Sequence, residues 1–181
     1  MDLSPTKLEI LETLLLHEET VKAVQVAKEL SKKFPAVQMH LIGLVKMRYA
    51  ASPKKGHYVI TEEGKKALGL PEVAKENALA ILAKVPREKT FHFYVGIGKP
   101  LHVFAHDLSD FCDKLGKVDA ESLEFHVSRG DFEAWFKSIG DEELTRKTAL
   151  LKQKKLSKEE LRSKLHEIVE TRCIRLSKKV E

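Results

Sequence analysis

The sequence predicts an α+β protein, predominantly helical, built in two parts. Three observations carry this. Apolar residues recur at helical spacing through most of the 181 residues. The pattern breaks into short extended runs at two places, near residues 47–60 and 90–105, each around turn-forming residues. The charge also changes sign along the chain: residues 1–70 carry +3, residues 71–145 carry −5 and residues 146–181 carry +7. A hydrophobic content of 43% is enough for packed cores and excludes wholesale disorder. No apolar run approaches the ~20 residues that span a bilayer, so no membrane association is expected. No basic stretch followed by an apolar one marks the chain for secretion. With only Cys112 and Cys173, free thiols in a reducing cytoplasm are expected.

The N-terminal part is read as residues 1–70. Ser4 and Pro5 start a helix, a capping hydroxyl before a proline at the first helical position. Leu8, Leu11, Leu14 and Leu15 continue it to near His17. Thr20 is expected to cap a second helix, with Val21, Val24, Ala27 and Leu30 inward. Pro35 opens a third, running to Lys46, with Val37, Leu41 and Leu44 as its stripe. Residues 47–51 and 57–60 then read as extended runs around Ser52-Pro53-Lys54-Lys55-Gly56, a hairpin turn. Thr61 caps a fourth helix, with Glu62 and Glu63 in the first turn, where the dipole favours acids.

Three helices, a two-stranded ribbon and a closing helix resemble the winged helix-turn-helix. The run Tyr58-Val59-Ile60-Thr61-Glu62-Glu63-Gly64-Lys65-Lys66-Ala67-Leu68 is similar to the aromatic-x-[LI]-T-x-x-G-x-x-x-L ending of prokaryotic regulators of that class. The resemblance implies a transcriptional regulator that binds double-stranded DNA. Helix 35–46 would enter the major groove and wing 52–57 would lie along the backbone. The outward face of that helix is read as Gln38, Met39, Ile42, Gly43 and Lys46. Gln38 suits adenine, Lys46 suits guanine or phosphate, and Met39 and Ile42 suit thymine methyls. Arg48, Lys54, Lys55 and His57 complete the expected DNA-binding set, the two wing lysines as phosphate contacts. An outward Met and Ile suit a protein partner equally, so a protein-interaction adaptor stands as the alternative.

Residues 71–89 are read as a connector containing a short helix, with Val73, Leu79, Ile81 and Leu82 as its apolar positions. Residues 90–181 are read as a helical domain opened by a β-hairpin, in which Phe91, Phe93 and Val95 share a face. Helices are expected over 108–115, 119–128, 131–138, 141–151 and 157–178. Gly130-Asp131 and Gly140-Asp141 each end one helix and cap the next. The stretch Ser122-Leu123-Glu124-Phe125-His126, with Arg129-Gly130-Asp131-Phe132-Glu133-Ala134-Trp135 and Gly140-Asp141-Glu142-Glu143-Leu144, resembles a prokaryotic, chiefly archaeal, domain family of unknown function. That resemblance carries no catalytic residues over.

Of the polar residues there, Asp131 is expected to cap a helix, Arg129 to pair with Glu133 or Glu124, and His126 to bond a backbone carbonyl. His92, His102 and His106 lack a completing ligand at a familiar spacing, so no metal and no cofactor is expected. The final helix carries a stripe of Leu161, Leu165, Ile168, Val169, Cys173 and Leu176, which fits a homodimer or packing on its own domain. The expected role is DNA binding without chemistry, the second part dimerising or sensing an unidentified small molecule.

Overall fold

A computed structural model describes residues 3–181 and has ten α-helices and two small antiparallel sheets among them. The predominantly helical α+β class holds. None of these helices is long and apolar enough to cross a membrane. The chain forms two compact units, the second spanning Val73–Glu181.

The first unit runs α1 (Pro5–Leu16), β1 (Val21–Lys22), α2 (Ala23–Glu29), α3 (Phe34–Lys46), β2 (Ala50–Lys54), β3 (His57–Ile60) and α4 (Glu62–Ala67). Ser4 Oγ accepts the Lys7 N–H, as the capping pattern requires. Thr20 does not cap α2. The chain stays extended through Val21 and Lys22, which pair with Tyr58 and His57 and put β1 at one edge of a sheet ordered β1-β3-β2. Two residues carry no periodicity, and their partners lie far along the chain. Ile10, Leu11 and Leu14 of α1, Val26 of α2 and Val37, Leu41 and Leu44 of α3 form a buried apolar core with Ala50 and Tyr58. Each such Val or Leu contributes roughly 1.5–3 kcal/mol relative to exposure.

Two contacts seat α4. Thr61 Oγ1 accepts the Gly64 N–H (3.1 Å) while its hydroxyl donates to Arg48 O (2.6 Å). Gly64 lies against the Tyr49 carbonyl so closely that no side chain fits there. Arg48 has φ +63° and ends α3 in a Schellman turn. Tyr49 N–H donates to Leu44 O (2.9 Å) and Arg48 N–H to Val45 O (3.0 Å).

The second unit runs α5 (Lys75–Leu82), a 3₁₀ turn (Arg87–Lys89), β4 (Phe91–Gly96), β5 (Lys99–Ala105), α6 (Leu108–Leu115), α7 (Ala120–Arg129), α8 (Asp131–Ser138), α9 (Glu142–Lys152) and α10 (Lys158–Val180). Residues 71–89 are therefore not a connector. Helix α5 buries Ala78 and Ile81 and packs on α6 and α10, while Leu79 faces outward. Antiparallel β4 and β5 pair Phe91 with Ala105 and His92 with Phe104. Phe91 and Phe93 enter an aromatic core with Phe111 of α6 and Phe132, Trp135 and Phe136 of α8. Trp135 Nε1–H donates to Lys89 O (2.9 Å), so the largest ring buries no orphan donor.

The stripe that suggests a homodimer is already used. Leu161, Leu165, Ile168, Val169 and Leu176 are buried within the unit, where α10 packs on α5, α6, α7 and α9. Ser157 and Glu160 close a capping box at its start. Arg162 donates to Leu115 O and Val118 O, satisfying carbonyls at the end of α6. Cys112 and Cys173 are free thiols; burial pushes the first up to about 11 and the second to about 12.

Candidate nucleic-acid interface

Helix α3 turns Val37, Leu41 and Leu44 inward, which points the positions between them outward. Met39 is 70% exposed and Ile42 39%; Lys46 is exposed and Gln38 half-exposed. Gly43 does not join this face. It faces α1, where the stem of Lys7 covers it and Lys7 Nζ lies 3.6 Å from Met47 Sδ. Val24 of α2 and Phe34 at the start of α3 are further exposed apolar side chains on this unit. Spacing does not reveal them: Val24 falls on the stripe expected to point inward, and Phe34 precedes the proline that marks the helix start.

The ribbon β2–β3 ends in the turn expected from its composition. Ser52 Oγ–H donates to Lys54 O (3.1 Å), and Gly56 takes the positive φ of 76° that a residue with a side chain resists. Gly56 O accepts the Ala23 N–H, tying the ribbon to the start of α2. Lys54 and Lys55 are exposed at the tip. His57 is half-buried, and one ring nitrogen donates to Lys55 O (3.2 Å), so it shapes the turn. Lys46, Arg48, Lys54 and Lys55 have no acidic partner among the described residues. By contrast, Lys32, Lys65 and Lys66 are paired with Glu9, Glu62 and Glu63. An unpaired surface cation keeps its full charge for an incoming anion.

In the second unit, three polar residues of the motif converge in an arrangement that differs from the expected one. Gly130, at φ 78°, both ends α7 and starts α8, so Asp131 is the first residue of α8 rather than its cap. This frees the Asp131 carboxylate, which takes His126 Nδ1 (2.8 Å) and Arg129 Nε (3.1 Å). His126 Nε2 accepts the Tyr94 N–H of β4 (2.8 Å). His126 thus bonds a carboxylate and a strand amide, not a carbonyl, and Arg129 pairs with neither Glu133 nor Glu124. Both ring nitrogens of His126 are committed, which leaves none for a proton transfer. At Gly140 the expected pattern does appear: Asp141 Oδ1 accepts the Leu144 N–H (3.0 Å).

Burial holds His126 below the ordinary imidazole range, and Asp131 opposes this only in part. Protonating Nε2 would also remove the acceptor for Tyr94. The unfolded chain therefore binds more protons than the folded one below the ordinary value of 6.5. The neutral ring's contribution is complete above that value and is lost as the pH falls through the depressed folded value. The stability of the second unit is expected to fall below pH 6.5, by no more than about 1.4 kcal/mol per pH unit for this one proton. Imidazole ¹⁵N shifts check it: an imidazolium at His126 in the folded protein at pH 6.5 would contradict the assignment.

His92 lies opposite Phe104, with Nε2 3.1 Å from Thr90 Oγ1, while His102 sits at a positive φ of 55°. Among the described residues no group of three His, Cys, Asp or Glu side chains is gathered as for a metal ion.

The geometry defines a protein of two units, one exposing a cationic helix-and-ribbon face and the other built on an aromatic core with a buried His–Asp pair. The second unit gives the chain its family. The model of a family of unknown function, DUF5752, matches residues 72–170, more than half of the sequence, and the chain belongs to that family. The match begins at the boundary between the units and includes α5. Comparison with curated proteins and with solved structures found no match.

Proposed function

We propose that the first unit binds duplex DNA and that the protein is a transcriptional regulator acting without chemistry. The observation that carries this reading is the set of four exposed, unpaired cations: Lys46 and Arg48 at the end of α3, and Lys54 and Lys55 on the ribbon tip. The element order α1-β1-α2-α3-β2-β3 and the sheet order β1-β3-β2 support it, because they suit a helix presented beside a wing. Gln38 is the residue proposed to read a base, with Met39 and Ile42 against thymine methyls. The reading requires no cofactor. A homodimer would need a surface other than the α10 stripe.

Changing Lys54 and Lys55 together to Ala is expected to weaken binding to specific and random duplexes by a similar factor. The log–log salt slope should drop by about 1 for each phosphate that is no longer neutralised. Gln38→Ala should instead cost about 1–3 kcal/mol at the specific site alone and leave the slope unchanged. Titrations at two salt concentrations measure both. Unchanged affinity and slope in the double-lysine variant would remove the DNA reading. The second reading, protein docking, rests on the exposure of Met39, Ile42 and Val24, and predicts a partner whose binding salt barely affects.

A further inference from the structure

A cavity of about 360 Å³ lies in the second unit between the β4–β5 hairpin and α7. That is the small end of the range for ligand pockets, so its occupant is a small molecule rather than a peptide. Its walls are mainly apolar and aromatic, from Phe91, Tyr94, Phe125 and Ile97. Ile97, at the hairpin tip between Gly96 and Gly98, is 85% exposed, more than any other large apolar side chain among the described residues. Ile97 also lines the mouth of the cavity, so an apolar body seated there would cover it.

One cation faces this cavity. Arg129 is held from two sides: Nε donates to Asp131 Oδ2 (3.1 Å), and the guanidinium carbon stands 5.1 Å from the centre of the Phe125 ring. These contacts fix the plane of the guanidinium and occupy one of its five donors. The two terminal amino groups have no partner among the described residues. A planar fork of free N–H groups matches the two oxygens of a carboxylate. His126 adds no charge, since its neutral ring is committed on both nitrogens. Asp131 beside Arg129 favours a monoanion over a dianion, because each added negative charge meets that carboxylate with the same single cation.

We propose that this cavity binds a small monocarboxylate with an apolar or aromatic body, its carboxylate on the Arg129 fork and its body against Tyr94, Phe125 and Ile97. The proposal is independent of the DNA reading. It assigns the second unit a ligand class.

The test is an NMR titration of the full ¹⁵N-labelled chain with phenylpropionate. Its uncharged counterpart phenylpropionamide and inorganic phosphate serve as the other probes. Phenylpropionate is expected to give saturable shifts at residues 96–98 and 125–131. The amide should bind at least about tenfold more weakly, since a charge-assisted pair is missing. Phosphate should leave these signals unmoved. Arg129→Gln should weaken the acid by about tenfold or more and the amide far less, while Ile97→Ser should weaken both alike. Arg129→Lys, which keeps the charge but loses the fork, should fall between parent and glutamine and serves if the glutamine variant disturbs the fold. Absence of saturable shifts, equal affinity for acid and amide, phosphate binding as tight as the acid, or parental affinity in both Arg129 variants would each overturn the proposal.

Discussion

Gly64→Ala is expected to unfold the N-terminal unit. A Cβ at this position would stand 2.1 Å from the Tyr49 carbonyl oxygen and 2.9 Å from Ile60 Cγ1. The carbonyl has little room to yield, because it also accepts the Thr61 N–H (3.1 Å). Relief requires α4 to lift, which breaks the Thr61 cap and its bond to Arg48 O together. Overpacking against side chains costs about 1–3 kcal/mol. Against backbone the cost should reach about 3–5 kcal/mol, the range that marks a named steric failure. That is most of the stability of a unit this small. Denaturant titration followed by the amide signals of the first unit measures it, and a midpoint close to the parent's would refute the steric conflict.

Arg172→Met should be as damaging to the second unit. Arg172 is buried on α10, with Nε donating to Asp141 Oδ2 (2.8 Å) and Nη1 to Glu143 Oε2 (2.9 Å). Lys147 lies 3.0 Å and Arg175 3.7 Å from the other oxygen of Glu143, so that carboxylate keeps cations nearby. Asp141 is fully buried and, among the described residues, its carboxylate would retain the Leu144 N–H alone. Removing one partner of a buried pair strands the other, at about 3–5 kcal/mol. Arg172→Lys keeps the charge without the fork and should lose less. Urea midpoints of the two variants decide it, and a methionine variant as stable as the parent would show that Asp141 is compensated by other means. Replacing Arg172, Asp141 and Glu143 together by apolar residues should cost far less than the single change, because the desolvation penalty leaves with the charges.

These two sites also mark how far the sequence is legible. Local signals suffice for most of the helices, though not for the start of α2 or the cap of α8. The α3 stripe, the Ser157 start of α10 and the Gly140-Asp141 junction lie where periodicity and capping put them. The string around Thr61 and Gly64 is legible too, but not its reason, which is a carbonyl fifteen residues earlier. Strand β1 escapes the sequence because two residues have no period. The 71–89 segment reads as a connector because Pro71 and Pro86 look like linker punctuation, whereas burial of Ala78 and Ile81 depends on α10 some eighty residues later. The α10 stripe is plainly apolar, but no pattern within a helix says whose surface covers it. At the candidate DNA face, exposure of Met39, Ile42 and the wing lysines follows from spacing, while the Lys7 stem over Gly43 does not. His126 stands out in the sequence without its partner, since the Tyr94 amide is thirty-two residues away.

Gly130 joins α7 to α8 with no loop between them. Its N–H donates to Val127 O and its carbonyl accepts the Ala134 N–H, so one residue belongs to the hydrogen-bond ladders of both helices. Such a corner has no slack in length. A single residue inserted at Arg129-Gly130-Asp131 would advance α8 by about 100° of helical phase. Phe132 and Phe136 would then swing out of the aromatic core, Trp135 would leave Lys89 O, and Asp131 would leave His126. Substitutions on the outer face of either helix leave this phase untouched. Insertions and deletions do not, so among length variants of this chain the α7–α8 corner should be empty while the β2–β3 turn accumulates changes.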